Sequence, residues 1–201
     1  MLASHIRARG GIFGWDAAHE LRATRLTGER GVWQSTSMNV PASLIESLSS
    51  MPQQFERAFR LVPRSCLNWK PESWDGIPGE TFSALEQACH LRDIEIDGYH
   101  LRIRRMLEES DPTLPSIDSY ELARERRYGE ADAAQVIAAF GVARGATIGM
   151  LMRVRSEHLE RTGTFEGYGR LTLRGLIHYL CSHDQQHLAC VQWLLGKMSN
   201  R

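Results

Sequence analysis

The residues best suited to chemistry in this sequence are two histidines four positions apart, His183 and His187. Each residue turns an α-helix by about 100°, so residues four apart stand on the same face. Neutral imidazoles placed in this way can hold one divalent cation between them. A stable site needs at least a third protein ligand, which must come from another part of the chain.

The element that must position this pair is a predicted helix from near Thr172, a common N-capping residue, to about Met198. On a helical wheel both histidines fall within the apolar stripe that would face a core, together with Leu176, Leu180, Cys190 and Leu194. Two adjacent imidazoles in a core are costly unless each ring nitrogen finds a partner, and a shared metal meets that need. The spacing alone leaves two interpretations open: a metal-binding pair, or two separately hydrogen-bonded core histidines.

Two further predicted helices offer candidates for the third ligand. A helix over about residues 81–109 carries His90 and His100. His100 falls near the centre of the strongest apolar stripe of that helix, whereas His90 lies on a flank about 100° away. His158 lies on the inner stripe of a later helix. The wheel ranks His100 first but permits His90, and periodicity alone does not choose among the three.

The periodic part of the chain, residues 38–201, predicts four long helices joined by polar loops that contain proline and glycine. The first helix covers about Pro41 to Leu61, and Pro52 inside it predicts a kink or a break. The third is predicted from Asp132 through His158. No strand-like alternation with hairpin turns is present, so we predict an all-α four-helix bundle. A long connection, about residues 111–131, separates helices 2 and 3 and suggests a crossover.

Residues 1–37 differ from the rest because they contain scattered glycines and arginines and no sustained period. They are interpreted as a poorly ordered N-terminal extension, as an unusual appendage, or as an artefact of the start site, with translation beginning at Met38. A tail or a start-site artefact is favoured over a functional module. The predicted domain organisation is therefore an extension over 1–37 and a bundle domain over 38–201.

Composition narrows the partners and the compartment. The chain has 24 basic and 24 acidic residues and a formal net charge of zero, so no broad electrostatic surface for nucleic acid is expected. No apolar run approaches the roughly 18 residues that span a bilayer, and the start lacks a signal-peptide core. The four cysteines show no CxxC pairing. We therefore expect a cytoplasmic protein with neither a nucleic-acid nor a membrane partner.

An ordered set of short motifs runs through the periodic region: Trp69-x-Pro-x-x-Trp74, Glu86-x-x-x-His90-Leu-x-Asp93-x-Glu95, Phe140-x-x-x-Arg144, Arg161-x-Gly163, Gly169-x-x-Thr172-Leu and His183-Asp-x-x-His187-Leu. With these motifs, residues 40–198 resemble the DinB/YfiT-like family of small bacterial four-helix metalloproteins. By position, the metal-binding histidines of that family match His90, His183 and His187. The resemblance therefore implies His90 where the wheel favours His100.

The resemblance implies a three-histidine site with open coordination positions for a divalent ion, zinc or nickel above all. It implies a metal-dependent enzyme of the thiol S-transferase or hydrolase type that acts on a small molecule, with a bacterial thiol as one expected partner. The alternative is a non-catalytic stress or detoxification protein that binds a metal or a small ligand. A homodimer formed through an apolar helix face is also expected. No residue of the sequence identifies the reaction.

Several other polar or aromatic residues could support such a site. Asp93, Asp184 and Gln186 could orient the second ring nitrogen of a ligand, although each is equally a solvated helix-surface residue. Cys190 could ligate, but a core position is more common for cysteine. The remaining pairs are Trp69 and Trp74, which could wall a pocket or pin a loop, and Arg144 and Arg161, which could bind a carboxylate or lie exposed.

Overall fold

A computed structural model of the chain describes residues 39–199. The predicted N-terminal extension, residues 1–37, lies outside the described residues. The described part is mainly helical, and its elements are built from local signals that the sequence carries.

Helix α1 spans Ala42–Arg60 and is continuous, so the break expected at Pro52 is absent. A proline has no N–H to donate to the carbonyl four residues earlier, which here belongs to Leu48. That carbonyl instead accepts a hydrogen bond of 3.1 Å from Nη1 of Arg144. A side chain from another helix thus satisfies the carbonyl that the proline leaves free.

The second long helix is interrupted. It consists of α2, Ala84–Asp93, a π-helical segment, Ile94–Tyr99, and α3, His100–Glu108. Ser83 and Glu86 form a capping box at its start. A π-helical turn bonds each residue to the fifth one along, and this shifts the face of every later residue. Ile96, which a regular helix would place in the apolar stripe, is accordingly 42% exposed.

The last two long helices are α5, Ala133–Leu151, and α7, Leu173–Ser199. Asp132, where this helix is predicted to begin, caps α5 by accepting a hydrogen bond from the backbone N–H of Gln135. The prediction that this helix continues through His158 is wrong, because the chain bends after Leu151 and forms a separate short helix, α6, Ser156–Leu159. The bend places the apolar side chains of Val154 and Leu159 in the core.

The four long helices form the predicted bundle. Both α1 and α2 pack against α5 and α7. The first and second long helices therefore occupy opposite corners of the bundle. The long connection between α3 and α5 is present and contains a short helix, α4, Ser119–Glu125. The crossover expected in this connection is absent, because it joins helices that pack against each other; the connections over residues 61–83 and 152–172 cross the bundle instead.

A small sheet at one end of the bundle corrects the expectation that the chain has no strands. Its strands are β1, Thr113–Leu114, β2, Thr162–Phe165, and β3, Gly169–Thr172, in that order. β1 and β2 are parallel, and β2 and β3 are antiparallel with Thr164 opposite Arg170. Strands of two to four residues are too short to show an alternating pattern, which is why periodicity missed them.

A layer of polar residues separates two apolar clusters along the bundle. On α7 the residues before Asp184 belong to one cluster and those after His187 to the other. On α5 the same change falls at Arg144 and Thr147. All four of these side chains are buried. Buried polar groups need partners, so this central layer is where a functional site is expected.

Candidate metal centre

Three histidine rings converge in the polar layer. α2 carries His90, and α7 carries His183 and His187. Nε2 of His183 lies 3.1 Å from Nε2 of His90 and 3.1 Å from Nε2 of His187. His90 and His187 are fully buried, and His183 is half-buried. The structure therefore brings together the three histidines that the sequence motifs singled out.

This donor set fits a divalent cation. Two close nitrogen–nitrogen contacts converge on one ring nitrogen of His183, and a neutral imidazole has at most one proton to share there. An ion bound by imidazoles at about 2.0–2.1 Å holds its ligand nitrogens about 2.9–3.4 Å apart at octahedral to tetrahedral angles. The observed separations of 3.1 Å lie within that interval.

Gln87 fixes the tautomer of His187. Its Oε1 accepts a hydrogen bond from Nδ1 of His187, so the proton of this ring lies on Nδ1 and the lone pair on Nε2. The Gln87 amide is itself oriented, because its Nε2 donates to the carbonyls of Glu80 and Phe82 at 3.2 and 3.3 Å. Nδ1 of His90 and Nδ1 of His183 have no hydrogen-bond partner among residues 39–199.

Burial keeps all three imidazoles neutral. It lowers the pKa of His187 to about 3. It also holds the pKa of His90 well below its usual range, with a further contribution from His187. The pKa of His183 is lowered in the same way by burial and then by the two neighbouring histidines. Protons therefore do not compete with a cation for these nitrogens at neutral pH.

A carboxylate that the sequence reasoning missed faces the cluster. Oε1 of Glu80 lies 3.8 Å from Nε2 of His90, and its Oε2 lies 3.8 Å from Nε2 of His187. The side chain is 25% exposed. It comes from the loop before α2, where Gly79 has φ +117 and a Cβ would be 3.0 Å from Nε2 of Gln186. The glycine thus lets this loop lie against α7 and bring Glu80 to the histidines.

A cavity of about 170 Å³ opens beside the cluster. Glu80, His90 and His183 form part of its wall, together with side chains from the π-helical segment, α3 and the sheet. Tyr99, Phe165, Tyr168 and Tyr179 supply aromatic surface, and Ser116, Ser119 and Ser182 supply hydroxyl groups. A small molecule in this cavity would reach the converging ring nitrogens from one side.

None of the three predicted supporting residues, Asp93, Asp184 and Gln186, forms a hydrogen bond or ion pair with a histidine ring of the cluster. Asp93 forms ion pairs with Arg92 at 2.7 Å and Arg126 at 3.0 Å. Asp184 pairs with Arg144 at 2.6 Å. Gln186 lines the cavity. The residue that orients a ring nitrogen is Gln87, which lies in α2, the helix that carries His90.

The alternative ligands lie elsewhere. Nε2 of His100 is 3.0 Å from the carbonyl oxygen of Ala143. His158 lies in α6 and contacts Arg155. The thiol of Cys190 is 3.7 Å from the carbonyl oxygen of Pro78. The helical wheel wrongly ranked His100 first as the third ligand because it assumes a regular α-helix. The π-helical segment rotates His100 relative to the helix face that carries His90.

Arg144 is buried and does not line the cavity beside the histidines. It forms paired hydrogen bonds with Glu95 at 2.8 and 2.9 Å and with Asp184 at 2.6 and 2.9 Å. Thr147 donates a further hydrogen bond to Glu95. Burial raises the pKa of Asp184 to about 6, against the lowering influence of Arg144. This buried network holds α5, α7 and the π-helical segment together around the histidine cluster.

The remaining conspicuous residues serve structure. Trp74 stacks on Trp193 with ring centroids 5.2 Å apart, which fastens the loop after α1 to α7. Trp69 packs against the apolar core cluster. The half-buried Arg161 donates a hydrogen bond of 2.6 Å to the carbonyl of Glu109. None of these three lines the cavity beside the histidines.

Comparisons with known proteins agree with this architecture. A family model described as the DinB superfamily matches residues 47–191, which is more than half of the chain. Among solved structures, YfiT from Bacillus subtilis is similar at a TM-score of 0.69 and 16% identity, over 86% of this chain and 94% of that chain. YfiT is described as a probable metal-dependent hydrolase with an unusual four-helix bundle topology. None of the curated proteins matches this chain.

Proposed function

Because this chain belongs to the DinB superfamily, we propose that it is a divalent-metal-dependent enzyme that hydrolyses a small molecule. The observation that carries the proposal is the convergence of three imidazole Nε2 atoms opposite the carboxylate of Glu80, on the wall of a small cavity. The description of YfiT as a probable metal-dependent hydrolase supports the same type of reaction.

In this proposal His90, His183 and His187 hold the ion. Imidazole suits zinc and nickel, and three protein ligands leave coordination positions open for a substrate. The bound ion would act as a Lewis acid and lower the pKa of a water molecule that it binds. The hydrogen bond from His187 to Gln87 keeps one ligand nitrogen aimed at the ion.

Glu80 is the group placed to move a proton. Its carboxylate lies 3.8 Å from two of the ring nitrogens and remains partly exposed. A carboxylate at that position can accept a proton at Oε1 or Oε2 from a group that reaches the cluster through the cavity. The four aromatic side chains of the cavity wall would limit the access of bulk water to that group.

Two other functions use the same residues. Thiol S-transfer would place a sulfur nucleophile where hydrolysis places water, and the comparisons give it no support. A non-catalytic metal-binding protein would need the histidines but not Glu80. The role of Glu80 therefore distinguishes an enzyme from a binding protein.

The metal site is tested by elemental analysis of protein purified without chelator. We expect about one zinc or nickel ion per chain. That metal should be lost in a triple variant in which His90, His183 and His187 are all replaced by alanine. His158→Ala serves as a matched control, because His158 lies in α6 and should leave the metal content unchanged. Metal retained in the triple variant would contradict the ligand assignment.

Catalysis is tested with metal-loaded protein against a panel of carboxylic esters and amides, with and without low-molecular-weight thiols. Glu80→Gln should keep the metal and lower kcat by about 10²–10⁴-fold. Glu130→Gln is the control, because that side chain is 67% exposed and pairs with Arg127. Turnover in Glu80→Gln equal to that of the unmodified protein would refute the role of Glu80, and no turnover on any substrate would favour the binding protein.

A further inference from the structure

Arg102 is a buried cation in the wall of the cavity beside the histidine cluster. It is 3% exposed. Its Nε and Nη2 both donate to the carbonyl of Pro115, at 3.0 and 2.9 Å. Its guanidinium carbon lies 4.5 Å from the ring centre of Phe165 and 5.3 Å from that of Tyr99. No carboxylate forms an ion pair with it in the part of the chain that the structure describes.

This lack of a counter-ion is unusual, because a buried charge is costly unless it is paired. The other buried guanidinium of the polar layer, Arg144, pairs with two carboxylates. Burial lowers the pKa of Arg102, although Tyr99 and Tyr168 act in the opposite direction. An arginine nevertheless stays protonated at neutral pH. The molecule therefore holds an uncompensated positive charge next to the proposed site.

The π-helical segment makes room for this guanidinium. A Cβ at Gly98 would lie 2.7 Å from Nη1 of Arg102 and 3.1 Å from its Cζ. Nη1 has no hydrogen-bond acceptor among residues 39–199, while the other two nitrogens are used by Pro115. The guanidinium is thus held in place by one backbone carbonyl and two aromatic rings, with one nitrogen left for a ligand.

The charges that line the cavity indicate the ligand. Among the lining residues, Arg102 is the one cationic side chain at neutral pH and Glu80 the one anionic side chain. A single guanidinium balances one negative charge, and its planar donors match the two oxygens of a carboxylate. The volume of about 170 Å³ corresponds to roughly five or six water molecules, so the ligand is small.

We propose that Arg102 binds the carboxylate of a small substrate acid whose reactive bond lies at the histidine cluster. This inference rests on the proposed function, since it names the substrate class of the same cavity. Glu80 would then face the reactive bond of the substrate, and Arg102 would bind its carboxylate. Hydrolysis of a neutral ester or amide that carries a free carboxylate elsewhere would suit this arrangement.

The test measures binding of propionate to the metal-loaded protein by calorimetric titration, with propionamide as the neutral probe of similar shape. We expect propionate to bind more tightly than propionamide. Arg102→Gln should weaken propionate binding at least tenfold and leave propionamide binding and metal content unchanged. Arg104→Gln is the matched control, because Arg104 is exposed on the same helix.

A second variant guards against misfolding of Arg102→Gln. Gly98→Ala keeps the charge but displaces the guanidinium, so it should also weaken propionate binding. Equal propionate affinity in Arg102→Gln and the unmodified protein would overturn the inference, as would propionate binding no tighter than propionamide binding.

The metal must also be separated from the arginine. Propionate binding that disappears on chelation but survives in Arg102→Gln would show that the carboxylate binds the ion, and would overturn the inference. Protein that contains no metal but still binds propionate through Arg102 would refute the metal-dependent function and support the anion site.

Discussion

Gln87 decides which nitrogen of His187 can bind a cation. Its side-chain oxygen accepts the Nδ1 proton of His187, which leaves the Nε2 lone pair facing the other two rings. Two backbone carbonyls hold the Gln87 amide in that orientation. At the scale of single residues, this hydrogen bond is the feature that most directly prepares a ligand for a metal.

Replacing Gln87 with leucine should weaken metal binding by about 10–100-fold, because partners that orient metal ligands contribute that much to affinity. Competition with a chromophoric chelator measures the affinity. Gln87→Glu keeps an oxygen acceptor for Nδ1 of His187 but loses the two bonds to backbone carbonyls, so it should bind the metal more tightly than Gln87→Leu and less tightly than the unmodified protein. Equal affinity in Gln87→Leu and Gln87→Glu would show that the hydrogen bond does not prepare the ligand.

The residues of this site differ in how far the sequence could predict them. The spacing of His183 and His187 placed both on one helix face, and the structure does place their rings together. His90 came from motif resemblance, because a regular-helix wheel cannot anticipate a π-helical turn. Glu80 and Gln87 had no signal, since a single loop carboxylate and a single helix amide carry no periodicity.

At the scale of elements, Arg144 joins four parts of the bundle. From α5 it reaches Leu48 on α1, Glu95 in the π-helical segment and Asp184 on α7. Burial by itself lowers the pKa of Arg144, but its bonds to Asp184 and Glu95 raise that pKa above the ordinary value. Two of these partners lie close in sequence to His90 and His183, so the network sets the distance between the helices that carry the histidines.

Arg144→Met should lower the free energy of unfolding by about 3–5 kcal/mol, because it leaves Glu95 and Asp184 buried without their counter-ion. Urea denaturation monitored by circular dichroism measures this change. The combined variant Glu95→Gln, Arg144→Met, Asp184→Asn removes the charges together and should recover part of the loss. A combined variant less stable than Arg144→Met alone would contradict the charge argument.

Helices could be predicted from the sequence where a local signal, such as a capping residue, marks their start. The capping residues Ser83 and Asp132 mark the starts of α2 and α5 as their sequences indicate. The sheet was missed because its strands are shorter than one clear alternation. Pro52 did not break α1, because the carbonyl that it leaves free is satisfied by a side chain distant in sequence. Local patterns do not contain such long-range partners.

At the scale of the whole molecule, α5 has an exposed apolar face. By length and by its mean hydropathy of 1.4 the helix could span a membrane, and 33% of that stretch is buried in the bundle. Its inner face carries Arg144 with two carboxylate partners and packs on α1 and α2, so the helix belongs to the bundle. The outer face includes Val142, which is 77% exposed.

A cavity of about 1300 Å³ runs along α1 and this helix, away from the histidines.

We propose that this outer face pairs with the same face of a second copy of the chain. Gly141, Gly145 and Gly149 are spaced four apart, and a Cβ on any of them would have no neighbour within 4 Å. Small residues let two helices approach closely, and a two-fold interface needs one self-complementary surface. Glu56 and Arg60 form an ion pair of 2.6 Å on α1, in the wall of this cavity. Across a two-fold axis, each member of this pair would also meet the opposite charge of the other copy.

Val142→Glu should convert a dimer into a monomer, because it places a charge on this apolar outer face without disturbing a residue packed in the single chain. Sedimentation equilibrium measures the mass in solution. Leu101→Glu is the control, since Leu101 is 37% exposed on α3, which lies apart from this face, and its variant should remain a dimer. The unmodified protein sedimenting as a monomer would refute the interface, and so would a dimer that survives Val142→Glu. Loss of the dimer should leave the metal content unchanged, because all three histidines come from one chain.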